Sequence, residues 1–503
     1  MRFFNRGRRF LGRVSKKVHP FFLGIILILL CSTLRAEDPN SVSLNAYYKV
    51  LELQFTEAHA ILANQTKPDP FAYYVANLAD AIELFITEDP ALYEYYEKKL
   101  DQRVKAVEEI DKSNPYRLFV LGELRLQTSM LNAKFGEELS SVWNLRKAYF
   151  ALTENQALFP EFDYTLKSLG VLHILLGTVP EKYYWILNLL KMEGTVQQGI
   201  GELKSLMNQD HTLDFEVHVI FSLLQSYIFE EGEDSLKDLQ ELYNLYPDNL
   251  LLSYVVPAVF IKNSRAQDAE SMLPEISEEQ ITNHSFYLFY YLRGETALLK
   301  GDYEIAIVHF NNFLKSFRGK NFVKDVHYKI FLCYHLMDQK KLADKYFRLA
   351  QTQGNTIIET DKFAARMVNQ KEYPNQYLMR LRLATDGGYY KKAQKVIEET
   401  RSKELKSLKD KVEFAYRRAR LLHKTGKLRE SITFYEQTLE TNQDGWYFGA
   451  NSALQLGYIY LEWNQQSKAK GYFEKATNFK RHEYKNSIDN KAIAALKSID
   501  PNH

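Results

Sequence analysis

Leu456 to Ala476 reads LGYIYLEWNQQSKAKGYFEKA. Within this stretch, small and large side chains fall at distances that suit two antiparallel helices. Gly457 and Ala469 are small where such helices cross, Tyr460 and Phe473 fill the gap between them, and Ala476 leaves room for a following helix. One helix pair buries only part of its apolar surface, so the pattern asks for similar neighbours on either side.

Those neighbours are present upstream. Gly294, Gly301, Ala306 and Phe310 stand in LRGETALLKGDYEIAIVHF, and Tyr334, Ala343, Phe347 and Ala350 in CYHLMDQKKLADKYFRLA. Gly388 and Ala393 follow in GGYYKKAQKVI, then Gly426, Ser431 and Tyr435 in KTGKLRESITFY; Ala269 in AQDAESML is a further repeat alanine. The equivalent positions 306, 343, 393, 431 and 469 are 37, 50, 38 and 38 residues apart. The pattern resembles the tetratricopeptide repeat (TPR), whose period is about 34 residues. The 50-residue step leaves room for an added helix, which Thr356 to Val368 fits, and Asn486 to Leu496 suits a cap on the last apolar face.

The expected fold is therefore all-α, a TPR-like α-solenoid of antiparallel helix pairs with divergent N-terminal repeats. Low Pro and Gly contents, 13 and 22, disfavour a turn-rich β protein. Residues 37–249 read as an N-terminal helical region, punctuated at Asp89-Pro90 and Asn114-Pro115, and 250–503 as the repeat array with its capping tail. Within the first region, LLGTVPEKYYWILNLLKMEGTVQQGIGEL places Gly177 at the end of one helix and Gly199 at the crossing of another. Between them, Pro180 to Met192 reads as an inserted apolar helix, either plugging the solenoid interior or serving as a docking or membrane-facing helix.

Leu169 to Leu203 resembles the eukaryotic TPR family that includes the fungal inclusion-body clearance protein and the animal 39-series TPR proteins, which also place a proline-led apolar helix and a Gly-rich return here. YEIAIVHFNNFLKSFRGKNFVKD and RLRLATDGGYYKKA are similar to exported bacterial TPR proteins without an assigned function. The resemblance implies a helical scaffold without established catalysis; the export signal departs from the eukaryotic family, so its localisation is not carried over.

Residues 1–36 hold eight Lys or Arg and no acid, with the apolar run Phe21 to Cys31 and Leu34-Arg35-Ala36 before Glu37. A basic start, a short apolar stretch and a small residue form the signal-peptide pattern, with cleavage expected after Ala36. Cys31 raises a lipoprotein alternative, which Leu30 opposes because a small residue is needed there; an uncleaved anchor is the third option. An exported, periplasmic or envelope location follows, with membrane association through the N-terminus only. Beyond this segment, 57 basic residues face 63 acidic ones, which is no nucleic-acid footprint. Residues 391–503 nevertheless carry +8, and 37–390 carry −14.

Phosphate-loop, dinucleotide, metalloprotease and serine-hydrolase motifs are missing from the sequence, and no catalytic residue, cofactor or metal is expected. His211 and His218 read as surface or packing residues, and Cys333 as a small core residue. By the convention of the TPR, the concave face of each first helix turns Arg382, Arg417, Arg420 and Lys424 inward, near Asn451 and Tyr458. Arg417, Arg420 and Lys424 share a helix face by their spacing. Arginines in a groove suit a carboxylate or phosphate held by paired hydrogen bonds, against the alternative of a solvated basic face. The expected function is a non-enzymatic exported scaffold for a protein or peptide partner, with envelope assembly as the expected process. The alternative is a glycan- or nutrient-capturing component of an outer-membrane import system.

Overall fold

The computed structural model describes residues 38–179, 183–207, 211–229, 232–370 and 372–499. The N-terminal segment through residue 36, with its expected cleavage site and Cys31, lies outside them, as does the start of the expected 180–192 helix. Twenty-six α-helices follow one another among the described residues, and the only β-type pairing there is an isolated bridge between Gly445 and His482. The chain is an all-α, TPR-like solenoid.

Its unit is the antiparallel pair. Pro115–Phe135 packs on Glu138–Leu158, Leu288–Lys300 on Tyr303–Ser316, Val323–Leu336 on Lys340–Thr352, Gln376–Asp386 on Tyr390–Glu399, Leu408–Lys424 on Leu428–Thr441, and Tyr447–Glu462 on Gln466–Thr477. Ala306, Ala343, Ala393, Ser431 and Ala469 are all fully buried, as their shared place at the crossing requires. Gly457 shows why the partner position must be small: an added Cβ would lie 2.6 Å from Phe473 Cδ1, and one on Gly294 would meet Phe310 at 2.5 Å.

The turn inside the later pairs contains one residue in the left-handed region, five positions before the buried small residue. Gly301, Gly388 and Gly426 occupy it with φ of +91°, +80° and +74°, while Ser264, Asp338 and Asn464 occupy it without being glycine. Leu53 adopts the same φ, 60°, five positions before the fully buried Ala58, which exposes a repeat at the start of the chain.

The step from 343 to 393 is filled by the helix Glu359–Asn369, close to the expected Thr356 to Val368. Asp361 ties it in by accepting from Phe322 N at 2.8 Å and Asp325 N at 2.9 Å. The tail forms the helix Lys485–Ile499, which packs Ile488, Ala492, Ala495 and Leu496 on the last pair.

The helix expected over Pro180 to Met192 is seen as Tyr184–Leu190, and it does not plug the interior. None of its residues is buried, with Trp185 64% and Leu189 73% exposed. The helix ends at a left-handed Lys191, and Met192, just beyond it, is buried.

Early helices also touch much later ones. Asn249 Nδ2 donates to Leu51 O, Asn321 Nδ2 donates to Lys134 O, and Asn321 N donates to Glu88 Oε2. The described residues from Pro39 onward form one compact unit.

Candidate functional site

Three helices bring the predicted residues forward. Gln376–Asp386 starts under an Asn375 cap and ends at Gly387, so that Arg382 emerges in its middle. Leu408–Lys424 starts with a reciprocal Ser407/Asp410 capping box and carries Arg417, Arg420 and Lys424. Tyr447–Glu462 supplies Asn451 and Tyr458.

The predicted residues other than Asn451 border two neighbouring spaces, with Arg417 close enough to feel the charges of both Arg382 and Arg420. Arg382 and Arg417 line a cavity of about 170 Å³, walled by Tyr328, Phe331, Phe363, Tyr373, Tyr447 and Tyr484. Arg420, Lys424 and Tyr458 line a second space of about 430 Å³ with His423, Gln455 and Lys491, reached by Ile228 from far earlier in the chain. Asn451 lines neither; it donates to Tyr416 OH at 2.6 Å and accepts from Gln455 Nε2 at 3.5 Å.

The two arginines of the first cavity differ in their bonding. Arg417 is buried and committed: Nε and Nη2 both donate to Glu413 Oε1, at 3.1 and 2.9 Å, and Nη2 also donates to Tyr447 OH at 3.0 Å. Arg382 is about a quarter exposed and forms its one ion pair among the described residues with Asp386, at 3.5 Å through Nε. Its guanidinium stands over the Phe363 ring at 5.3 Å. Among the described residues, its two Nη atoms donate to nothing.

Residues that the sequence did not single out complete the cavity. Glu413 lies one turn before Arg417 and was legible as an i,i+4 partner. Phe363 comes from the added helix, and Tyr484 from the segment before the capping helix, where it meets Tyr447 edge-on at 5.0 Å. Gln370 Nε2 donates to Glu483 Oε1 at 2.7 Å, joining these two late additions. Burial pushes the Tyr447 phenol up despite the opposing Arg417 charge, so its hydroxyl stays protonated.

In the second space the field is positive. His423 is pushed down to about 4 by burial and then by the charges of Arg420 and Lys424. Arg420 Nη1 donates to Gln455 Oε1 at 3.3 Å, and Tyr458 packs edge-on against Phe473.

Elsewhere, His211 faces Asp163 at 3.1 Å while His218 bonds Asp214 O at 2.9 Å, so the two have separate partners. Cys333 is fully buried, and burial raises its thiol pKa well above the usual value. Among the described residues, no His, Cys, Asp and Glu group is arranged to hold a metal, and no helix is long and apolar enough to cross a membrane.

The family model of the tetratricopeptide repeat matches residues 450–482, which overlap the stretch that opened the sequence reading. No curated protein matches the chain. The solved human IFIT1 dimer with m7Gppp-AAAA is similar over 92% of this chain and 96% of its own, at 13% identity and a TM-score of 0.32. A monomeric IFIT1 mutant with Gppp-AAAA gives 93%, 96%, 12% and 0.33. At these values nothing of what those proteins bind passes to this chain.

Proposed function

We propose that the chain is a non-enzymatic TPR scaffold holding a protein or peptide partner in its groove, exported through its N-terminal segment and acting in a bacterial envelope. In this reading residues 1–36 are the signal, 37–249 the N-terminal region and 250–503 the repeat array. The observation that carries it is the meeting of Arg382 and Arg417 in one aromatic-walled cavity, where a guanidinium with two uncommitted nitrogens faces apolar surface. Stacked helix pairs supply the long surface along which an extended partner lies. Export rests on the basic and apolar pattern of residues 1–36 alone.

The test is capture of the tagged full chain from its own cells after brief cross-linking, beside the Arg382→Gln and Arg420→Glu variants. Arg417→Glu is unsuited, because it would bury a carboxylate beside Glu413. A stoichiometric protein partner lost in either variant supports the groove; a partner retained by both overturns it. The glycan-capture alternative draws on a different observation. Trp143 and Trp185 are both more than half exposed, on helices joined by Arg146 Nε donating to Leu190 O at 3.0 Å. A glycan co-purifying in place of protein, and lost on replacing those two tryptophans, moves the conclusion there.

A further inference from the structure

We propose that the Arg382 cavity is a site for an aromatic monocarboxylate: one ring among the aromatic walls, with its carboxylate on the free edge of the Arg382 guanidinium. This deepens the groove reading and rests on the same cavity.

Size sets the first limit. A space of about 170 Å³ is close to the engineered apolar cavity of roughly 150 Å³ that takes up benzene, and well below the range of about 300–1,000 Å³ typical of drug-sized ligands. One ring fits, and two do not.

The walls set the second. Phe363, Tyr447 and Tyr484 come from three separate segments, and Phe331 and Tyr373 meet edge-on at 4.8 Å beside them. Aromatic rings prefer edge-to-face or offset neighbours, and this arrangement offers several edges and faces to a further ring.

Charge sets the third. Arg417 is neutralised by Glu413, whereas Arg382 meets Asp386 only through Nε at 3.5 Å and lies over the Phe363 ring, which leaves its two Nη atoms as the fork that a carboxylate accepts in bidentate fashion. Four acids also line the space. Glu413 serves Arg417, Asp410 accepts from Ser407 N at 3.1 Å, Glu483 accepts from Gln370, and Glu372 is exposed. Lys409 lines it too, so three cations and four acids leave the lining at −1, which opposes a dianionic phosphate more than a single negative charge held at the guanidinium. An ammonium group beside the carboxylate is tolerated for the same reason. The shared chemistry is thus a carboxylate one or two carbons from a ring, supplied either by the C-terminal residue of a partner chain or by a free aromatic acid.

Calorimetric titration of the full chain separates these outcomes. The probes are N-acetylphenylalanine, its amide, a hexapeptide ending in phenylalanine, the same peptide amidated, and inorganic phosphate. Free acids are expected to bind, with the amides weaker by about tenfold or more, the effect of losing a charged hydrogen bond. Phosphate is expected not to compete. Arg382→Gln should cost about the same factor, and Phe363→Leu should weaken the ring-bearing probes while leaving the melting temperature of the chain nearly unchanged. A peptide that binds far more tightly than N-acetylphenylalanine identifies a partner's C-terminus as the source, and equal affinities identify a free acid. Peptides that bind regardless of amidation overturn this inference and leave the groove reading standing. If N-acetylphenylalanine binds and no peptide does, the groove reading falls and the site remains. If no probe binds, or Arg382→Gln changes nothing, the inference is wrong.

Discussion

Lys167→Met is the sharpest test of how the N-terminal half holds together. Lys167 Nζ lies 3.1 Å from Glu123 Oε2 and 2.9 Å from Glu216 Oε1, and it donates to Tyr74 OH at 3.0 Å. Glu216 also accepts from Tyr47 OH at 2.9 Å and Tyr74 OH at 2.7 Å, and Ser168 donates to Glu123. Five helices thus meet at one cation, which is 3% exposed against 2% for Glu123. Met keeps the length of the side chain, removes the charge and leaves two carboxylates facing each other in the interior. A surface pair would be worth about 0–1 kcal/mol, but stripping one partner from a buried pair costs about 3–5 kcal/mol. Because repeats couple mainly to their neighbours, the loss should be local and is best read by hydrogen exchange across Tyr164–Gly177 and Pro115–Phe135. A loss of about 4 kcal/mol accelerates exchange there by roughly a thousandfold at pH 7. The pH dependence gives a second signature. Burial already raises the Glu123 carboxyl above its usual range, and losing the lysine charge raises it further. With the folded pKa above the unfolded one, the folded state binds more protons, so the variant regains stability as pH falls from 7 towards 5. Adding Glu123→Gln should likewise recover much of the loss. Exchange changed by less than about threefold at pH 7, or a penalty unaltered at pH 5, would refute the reasoning.

Other consequences follow from the packing. Gly457→Ala gains helix propensity but drives a methyl into the Phe473 ring, so a net loss of about 1–2 kcal/mol in chemical denaturation is expected, relieved when Phe473→Leu is added. His423 and His327 are both held down to about 4, mainly by burial. Between pH 6.5 and 4 the unfolded chain takes up these protons and the folded chain does not, so stability falls with pH; His423→Gln should remove up to about 3 kcal/mol of that loss in acid melts. Trp185→Ser with Leu189→Ser should shift stability by less than about 0.5 kcal/mol, because neither side chain is buried, and an unchanged fold by circular dichroism makes the pair a clean probe of the exposed face.

The repeat register was legible where the chemistry of the turn is visible. Gly301, Gly388 and Gly426 announce a left-handed turn, and the buried alanines or serine follow five residues later. At Asp338 and Asn464 the same turn is made by residues that tolerate it, and the register stayed readable from the packing residues around it, Ala343 with Phe347 and Ala350, and Gly457 with Ala469 and Phe473. At Leu53 both signals fade. A leucine buried against the core accepts the positive φ because packing holds it there, so the first repeat looked like an ordinary amphipathic stretch. For the inserted helix the apolar residues left burial and an exposed face both open, because an apolar and aromatic run reads alike in either place; no residue of Tyr184–Leu190 is buried.

The same contrast runs through the candidate site. Helical spacing placed Arg417, Arg420 and Lys424 on one face, and they do share a helix, but spacing cannot say which charge is already satisfied. Glu413, four residues before Arg417, takes that arginine out of use, while Arg382 on the neighbouring helix keeps its fork. What surrounds Arg382 comes from outside the repeating pattern. Phe363 stands on the helix that lengthens one step to 50 residues, Tyr484 precedes the capping helix, and the Gly445–His482 bridge holds that segment beside Tyr447. A regular array would present only an open groove at this place. The interruption of the repeat and the end of the array together close the groove into a ring-sized cavity, so a variant that loosens the bridge, His482→Pro, should weaken ligand binding at Arg382 while the upstream repeats keep their exchange protection. Loss of protection throughout the chain would instead show that the segment stabilises the whole solenoid and carries no special role at the cavity.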